Sequence, residues 1–377
     1  MLSSEINRLQ NARTSLSPGP KALTCVDLFA GAGGLAEGLR NIGKIRTVGA
    51  VEMEPSAAAT FSLNHPDSET FTGDISLWLS EGRPQPVDLV VGGPPCQGFS
   101  NLGHRRARDP RNALWRRYVD ALILCEPKYF VLENVADFLR SGQFQSMRNA
   151  TRPSGRLRDY RIESAVLNAA DFGVPQIRRR AIAIGSHRDL PPPGLPVGPL
   201  TGDPTRWQTV RSVFSGIPLK ENGIELPAST MTVQGAERPG PFKTSELHLG
   251  RRPTPLSLAR YRAIPEGGNR KDLPDELLSP CWRDHRGGSG DVMGRLVWDK
   301  PAVTIRTEFW KPEKGRYLHP VAHRPITLFE GALLQGFPED YLWCGSKADI
   351  GRQIGNAVPI GLAAAIGQHI LNHYFSS

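Results

Sequence analysis

A chain of 377 residues with 22% charged and 39% hydrophobic side chains can bury a sizeable core, and its length suits two domains. No apolar run approaches the roughly 20 residues that a bilayer-spanning helix needs, and residues 1–21 lack the apolar stretch of a signal peptide, so a cytoplasmic protein is expected. Five widely spaced cysteines without a CxxC pair exclude a disulfide framework and a zinc site, while a net charge of +9 suits a polyanionic partner.

In chain order, residues 24–29 read as a buried first strand that runs into Ala30-Gly31-Ala32-Gly33-Gly34 and then a helix over 35–42. Strand, Gly-rich turn and helix open a nucleotide-binding βαβ unit: the glycines admit a ligand close to the backbone, and the helix N-terminus favours an anionic group. The second strand, 47–51, ends at Glu52. An acid about twenty residues after such a turn is placed to accept hydrogen bonds from ribose hydroxyls; a solvated loop carboxylate is the bland alternative. A helix over 55–64 follows, then a third strand over 70–75 in which Asp74 is a candidate acceptor for the exocyclic amine of adenine.

The fourth strand, 87–91, is a short β-branched run ended abruptly by Gly92-Gly93-Pro94-Pro95. The first reactive side chain beyond it is the thiol of Cys96. At the carboxyl edge of an open α/β sheet a thiol on a rigid turn is a candidate nucleophile, although a lone cysteine more often packs as a small apolar residue. Residues 104–117 carry six arginines against Asp109. Such a run is usually a solvated face, but beside a nucleophile it also suits a loop that clamps phosphates. A helix over 115–125 leads to a fifth strand, 129–132, which delivers Glu133 to the same edge. Thiol and carboxyl converging there suggest a nucleophile with a general acid, although Glu133 taken alone reads as a carboxylate capping the next helix.

A sixth strand (161–167), the run Gln176-Ile177-Arg178-Arg179-Arg180 and a strand over 181–185 follow; from 190 to 204 the composition is that of a linker. Residues 188–323 show little helical periodicity. Between 238 and 324 they hold 17 Lys/Arg against 10 Asp/Glu, interleaved with Trp282, Trp298, Phe309, Trp310 and Tyr317, which signals nucleic acid or, alternatively, a core flanked by solvated arginines. Regular structure returns as an amphipathic helix over 326–334, and an apolar helix over 360–374 must pack back on the first domain.

With these motifs in place the chain resembles the cytosine-C5 DNA methyltransferase family over residues 23–374. The resemblance is carried by Asp27 to Gly34, Glu52, Gly73-Asp74-Ile75, Pro94-Pro95-Cys96-Gln97, Glu133-Asn134-Val135, Gln176-Ile177-Arg178-Arg179-Arg180, residues 324–338 and Gly355-Asn356-Ala357-Val358-Pro359. It implies a Rossmann-like α/β sheet binding S-adenosyl-L-methionine, with a second, smaller, irregular target-recognition domain. The expected division is an N-terminal extension (1–22), a catalytic and cofactor-binding domain (23–187), a target-recognition domain (188–323) and a return to the catalytic domain (324–377).

The implied activity is DNA (cytosine-5-)-methyltransfer. Cys96 adds to C6 of a flipped cytosine, and Glu133 donates a proton to N3, because C5 is too weak a nucleophile unaided. Arg178 and Arg180 hold the cytosine O2 side and the carboxyl, and Gln176 supports the loop. Phe29, Ala30, Gly31, Ala32, Gly33, Gly34, Glu52, Met53, Asp74, Ile75, Pro95, Leu114, Asn356 and Val358 are implied as the cofactor pocket, with Met53 standing where an aromatic is common. Gln97, Ser100, Arg105, Arg106 and Arg108 are implied on the loop over the extruded base. Thr304 and Arg306, in a Thr-plus-aliphatic element, and Arg295 are candidates for DNA contact. No metal is expected; the expected partners are duplex DNA and a separately acting restriction endonuclease, with the enzyme a monomer. An RNA-directed relative and a catalytically silent DNA-binding homologue are the rivals. Intact Gln97-Gly98-Phe99-Ser100 favours DNA over RNA, and the retained Cys96 and Glu133 favour an enzyme.

Overall fold

The structure, a computed structural model, describes residues 22–95, 114–284 and 290–375. The chain divides into two compact units, one of Met1–Phe172, Arg179–Thr201 and Ala357–Ser377, the other of Gly173–Arg178 and Gly202–Asn356.

The first unit is built on a seven-stranded sheet: β1 (Leu23–Leu28), β2 (Ile45–Glu52), β3 (Glu69–Thr72), β4 (Leu89–Gly92), β5 (Tyr129–Val135), β6 (Tyr160–Asn168) and β7 (Arg179–His187). Their order is β3-β2-β1-β4-β5-β7-β6. The first five run parallel, and β7 is antiparallel to both β5 and β6. β4 and most of β5 are buried on both faces, as strands covered by helices on either side must be, which is why both read as continuous apolar runs. The strand order reverses between β1 and β4, so a crevice opens at their carboxyl ends. Asp74, expected inside the third strand, instead caps the helix Ile75–Ser80 by accepting from Ser76 N at 2.6 Å.

The helix Gly34–Arg40 follows the glycine turn, its N-cap Gly33 at φ +87°. It packs against the helix Ile360–Phe375 at a distance only glycine permits: a Cβ on Gly38 would lie 2.5 Å from Ala363 Cβ and 2.6 Å from Ile360 O. By length and composition Lys347–Phe375 would pass for a membrane-crossing segment, which the sequence reading did not anticipate, but 67% of its most apolar window is buried in the protein. It is core.

In the second unit the described strands form three two-stranded sheets. The helix Leu328–Gln335 begins with a capping box between Thr327 and Glu330. Glu330, fully buried, takes both terminal nitrogens of Arg324 at 2.8 and 2.7 Å. Residues 324–356 were expected to rejoin the catalytic domain, yet they lie in the second unit. Bonds to the rest of that unit explain why: Arg324 Nε donates to Leu219 O at 3.1 Å, Trp343 Nε1 to Thr244 Oγ1 at 2.8 Å and Gln176 Nε2 to Gln335 Oε1 at 2.9 Å, and breaking them would strand buried polar groups. Return to the sheet starts at Ala357. Phe309 and Tyr317 are core, and Trp310 fills the space left by Gly351. Half-buried Trp282 and Trp298 lie under Arg260 and Arg211 at 4.9 and 5.2 Å. Two of the five aromatics thus pack the core and three lie against a partner of their own.

Candidate active site at the sheet edge

The edge formed by the carboxyl ends of β1 to β5 gathers the first unit's functional side chains. Phe29 ends β1 in the left-handed region at φ +58°, followed by Gly31 at +57° and Gly33 at +87°. The turn is locked by Glu52 at the tip of β2, whose Oε2 accepts from Gly31 N and Oε1 from Glu54 N, each at 2.8 Å. Burial pushes this carboxyl above its usual range, against the lowering effect of those two amides. Space above Gly31 is open, with nothing within 4 Å of where a Cβ would sit, and Met53 is 67% exposed beside it in sequence. A glycine turn with room above it and an acid fixed at the tip of the next strand meet the needs of an adenosine-containing cofactor. Ile75 is buried, Pro95 and Leu114 half-buried. Val358 is carried back against Gly34, whose absent Cβ would stand 2.6 Å from Val358 O. Asn356 is exposed and belongs to the second unit.

At the β4–β5 side, Glu133 is 9% exposed and its Oε1 lies 2.9 Å from Arg180 Nε, an ion pair across adjacent antiparallel strands. Gly93 sits directly beside it: a Cβ there would be 3.1 Å from Glu133 Oε2. Asn134 Nδ2 donates to Pro94 O at 2.9 Å, so the turn leading to residue 96 is tied to the strand that carries Glu133. Sequence reasoning did not single out Gly93 or Asn134 as site residues. Both stand inside motifs it quoted, and the usable signal was two glycines in a row where one would have ended the strand.

Cys96, Gln97, Ser100, Arg105, Arg106 and Arg108 lie outside the described residues. Of the described cysteines, burial pushes Cys125 up to about 12, Cys344 up to about 11 and Cys25 well above the ordinary thiol range, which makes these three inert. Cys281 is exposed.

Within the second unit Gln176 and Arg178 are buried at 0% and 2%. Arg178 was expected to reach the cytosine ring; instead its two terminal nitrogens donate to Ile305 O at 2.7 Å and Gly355 O at 3.0 Å, which turns it inward. Arg295 was a candidate for DNA contact, and this too is corrected. It is 3% exposed and donates to the carbonyls of Tyr261, Ile264, His319 and Ala322, so it serves as a buried staple. Thr304 and Arg306 remain half-exposed.

A parallel sheet with a switch-point crevice, a glycine turn locked by an acid, and a buried carboxyl beside the turn before a cysteine define a nucleotide-cofactor transferase of the methyltransferase kind. The profile of C-5 cytosine-specific DNA methylase matches residues 23–372, and the chain belongs to that family. It is similar to the Type II methyltransferase M1.HphI of Haemophilus parahaemolyticus, 32% identical over 93% of this chain and 87% of the relative. It is also similar to M.XorII of Xanthomonas oryzae pv. oryzae, 32% identical over 92% and 84%. In fold it matches a prophage-encoded E. coli protein assigned as a DNA modification methyltransferase, with a TM-score of 0.68 at 24% identity, covering 94% of this chain and 100% of that one. Dnmt2 of S. pombe gives 0.57 at 18%, over 94% and 100%.

Proposed function

We propose that this chain methylates C5 of a cytosine in a specific duplex DNA sequence, with S-adenosyl-L-methionine as donor and Cys96 as the transient covalent nucleophile. Bound S-adenosylmethionine supplies an electrophilic methyl group on a sulfonium. Phe29, Met53 and Ile75 would flank its adenine, Asp74 would accept from the adenine amine and Glu52 from the ribose. Backbone of 30–34 would hold the methionine end, with Pro95, Leu114 and Val358 completing the walls.

The observation that carries the reading is the tether of Pro94 to Asn134, next to a Glu133 oriented by Arg180. A thiolate at 96 adds to C6 of the pyrimidine while the Glu133 carboxyl holds a proton at N3, and this makes C5 nucleophilic. Arg180 keeps that carboxyl turned to the ring. Once C5 carries the methyl group, loss of the C5 proton expels the Cys96 sulfur and restores the aromatic ring. The target atom is unreachable inside a duplex, so the base is flipped, with Gln97, Ser100, Arg105, Arg106 and Arg108 on the covering loop and Thr304 and Arg306 on the second unit. The Type II names of its relatives support a separate nuclease partner acting on the same sequence, in the cytoplasm.

Bisulfite sequencing of DNA from a methylation-free host expressing the chain should return one protected cytosine in a fixed sequence context. A duplex carrying 5-fluorocytosine at that site should form a covalent adduct with the wild type and none with Cys96→Ala. Full conversion of every cytosine, alongside methylation of tRNA, would hand the assignment to an RNA enzyme.

A further inference from the structure

We propose that Gln176 and Arg178 are positioning residues for DNA recognition: their side chains clamp the backbone of Ile305 from both sides and so fix the direction in which Thr304 and Arg306 face. This rests on reading the chain as a DNA methyltransferase.

The docking of residues 302–305 on 175–178 begins as a parallel bridge, with Ala302 N donating to Pro175 O at 2.9 Å and Ile177 N to Ala302 O at 2.8 Å. Side chains then take over. Ile305 N donates to Gln176 Oε1 at 2.7 Å, and Ile305 O accepts from Arg178 at 2.7 Å. Both polar groups of one residue are therefore held by side chains two positions apart, each itself buried. The clamp is anchored behind: Gln176 Nε2 donates to Gln335 Oε1 at 2.9 Å, Gln335 Nε2 to Ile354 O at 2.6 Å, and Arg178 to Gly355 O at 3.0 Å. Gly355 leaves no slack, since a Cβ there would stand 2.4 Å from Arg306 C.

On the other flank Thr304 Oγ1 donates to Ile177 O at 2.8 Å, Tyr317 OH donates to Thr304 O at 2.9 Å, and Arg306 Nε donates to Tyr317 OH at 3.0 Å. A recognition element whose ordering cost is met before DNA arrives binds more tightly and discriminates more sharply than a loose one. Ile305 is fully buried, so its N–H and C=O need partners in any case; what points to positioning is that both partners are side chains, fixed from behind, at the residue between Thr304 and the half-exposed Arg306.

The test uses the full-length enzyme with Arg178→Lys, whose single ammonium cannot span both carbonyls as a guanidinium fork does, and Gln176→Ala. Kinetics are measured on the target duplex and on duplexes altered at one base pair, with active sites counted by 5-fluorocytosine trapping. Hydrogen exchange is followed at residues 302–307. The clamp predicts a KM for DNA raised roughly tenfold, discrimination lowered about tenfold, kcat per active site within about threefold, and faster exchange at Ile305. A kcat loss of about a hundredfold with KM and discrimination unchanged would overturn the proposal and return Arg178 to the ring. A lowered Tm with unchanged exchange and unchanged kinetics of the active fraction would overturn it in favour of a scaffold. If the wild type methylates no duplex, the DNA reading itself fails, whereas unchanged exchange at Ile305 in an enzyme that does methylate defeats the clamp alone.

Discussion

In the proposed reaction Glu133 works only if its carboxyl points at the ring, and three neighbours decide that. Arg180 holds one oxygen at 2.9 Å, Gly93 leaves room for the other, and Asn134 ties down the turn that leads to the thiol. Replacing Glu133 by Gln should lower kcat by roughly 10²–10⁴, the usual worth of a positioned proton donor; single-turnover rates on saturating DNA would show it. Arg180→Met should cost nearly as much, with little change in the KM for S-adenosylmethionine, because the residues proposed for its adenine and ribose lie just beyond or at the ends of β1 to β3. Gly93→Ala should depress kcat with an almost unchanged Tm, since the added methyl meets a carboxyl oxygen rather than core. Glu133 was legible only in company: alone it reads as a helix cap, and the cysteine turn at the same sheet edge makes it a candidate acid. The sequence could not divide the labour in Gln176-Ile177-Arg178-Arg179-Arg180. Nothing in the run says that Arg178 would be spent on two carbonyls and Arg180 on a carboxylate.

At the scale of elements, the sheet was readable because strands buried on both faces leave continuous apolar runs, and β4 and β5 carry almost no other signal. The small residues of the helix Gly34–Arg40 were less legible: glycine in a helix looks like weakness until the neighbour is known. Here Gly38 allows the helix Ile360–Phe375 to sit almost in backbone contact. Gly38→Ala should therefore destabilise the protein by about 1–3 kcal/mol although alanine is the better helix former, because overpacking outweighs a propensity gain of about 1 kcal/mol. Urea unfolding with an unchanged m-value would register the loss, and a stabilised variant would mean that the two helices are not in contact.

For the molecule as a whole, the chain passes between its two units four times, at 172/173, 178/179, 201/202 and 356/357. The sequence does not mark those crossings, because the six residues 173–178 carry no boundary signal and belong to the second unit through one parallel bridge to Ala302 and the side-chain bonds of Gln176 and Arg178. The second unit also carries the clearest pH response. His319 Nδ1 accepts from Val321 N and Ala322 N at 3.1 and 3.0 Å, its ring stacks on Phe214, and burial holds it down to about 4. The native state thus prefers the neutral ring. Stability is complete above about pH 6.5, falls as the pH drops from there towards 4, and levels off below, with a total loss of roughly 3 kcal/mol. Thermal melts across that window should show the slope, and His319→Asn should lower the plateau while flattening it.

One residue sets a trade between endurance and performance. Phe29 sustains a left-handed backbone that its Cβ resists, at a cost of about 1–3 kcal/mol. It endures because Ala30 N donates to Val51 O and Gly31 N to Glu52. Breeding this enzyme for heat tolerance alone would relax that kink first, and, with Phe29 at the adenine as proposed, the hardier descendants would grip their methyl donor less well.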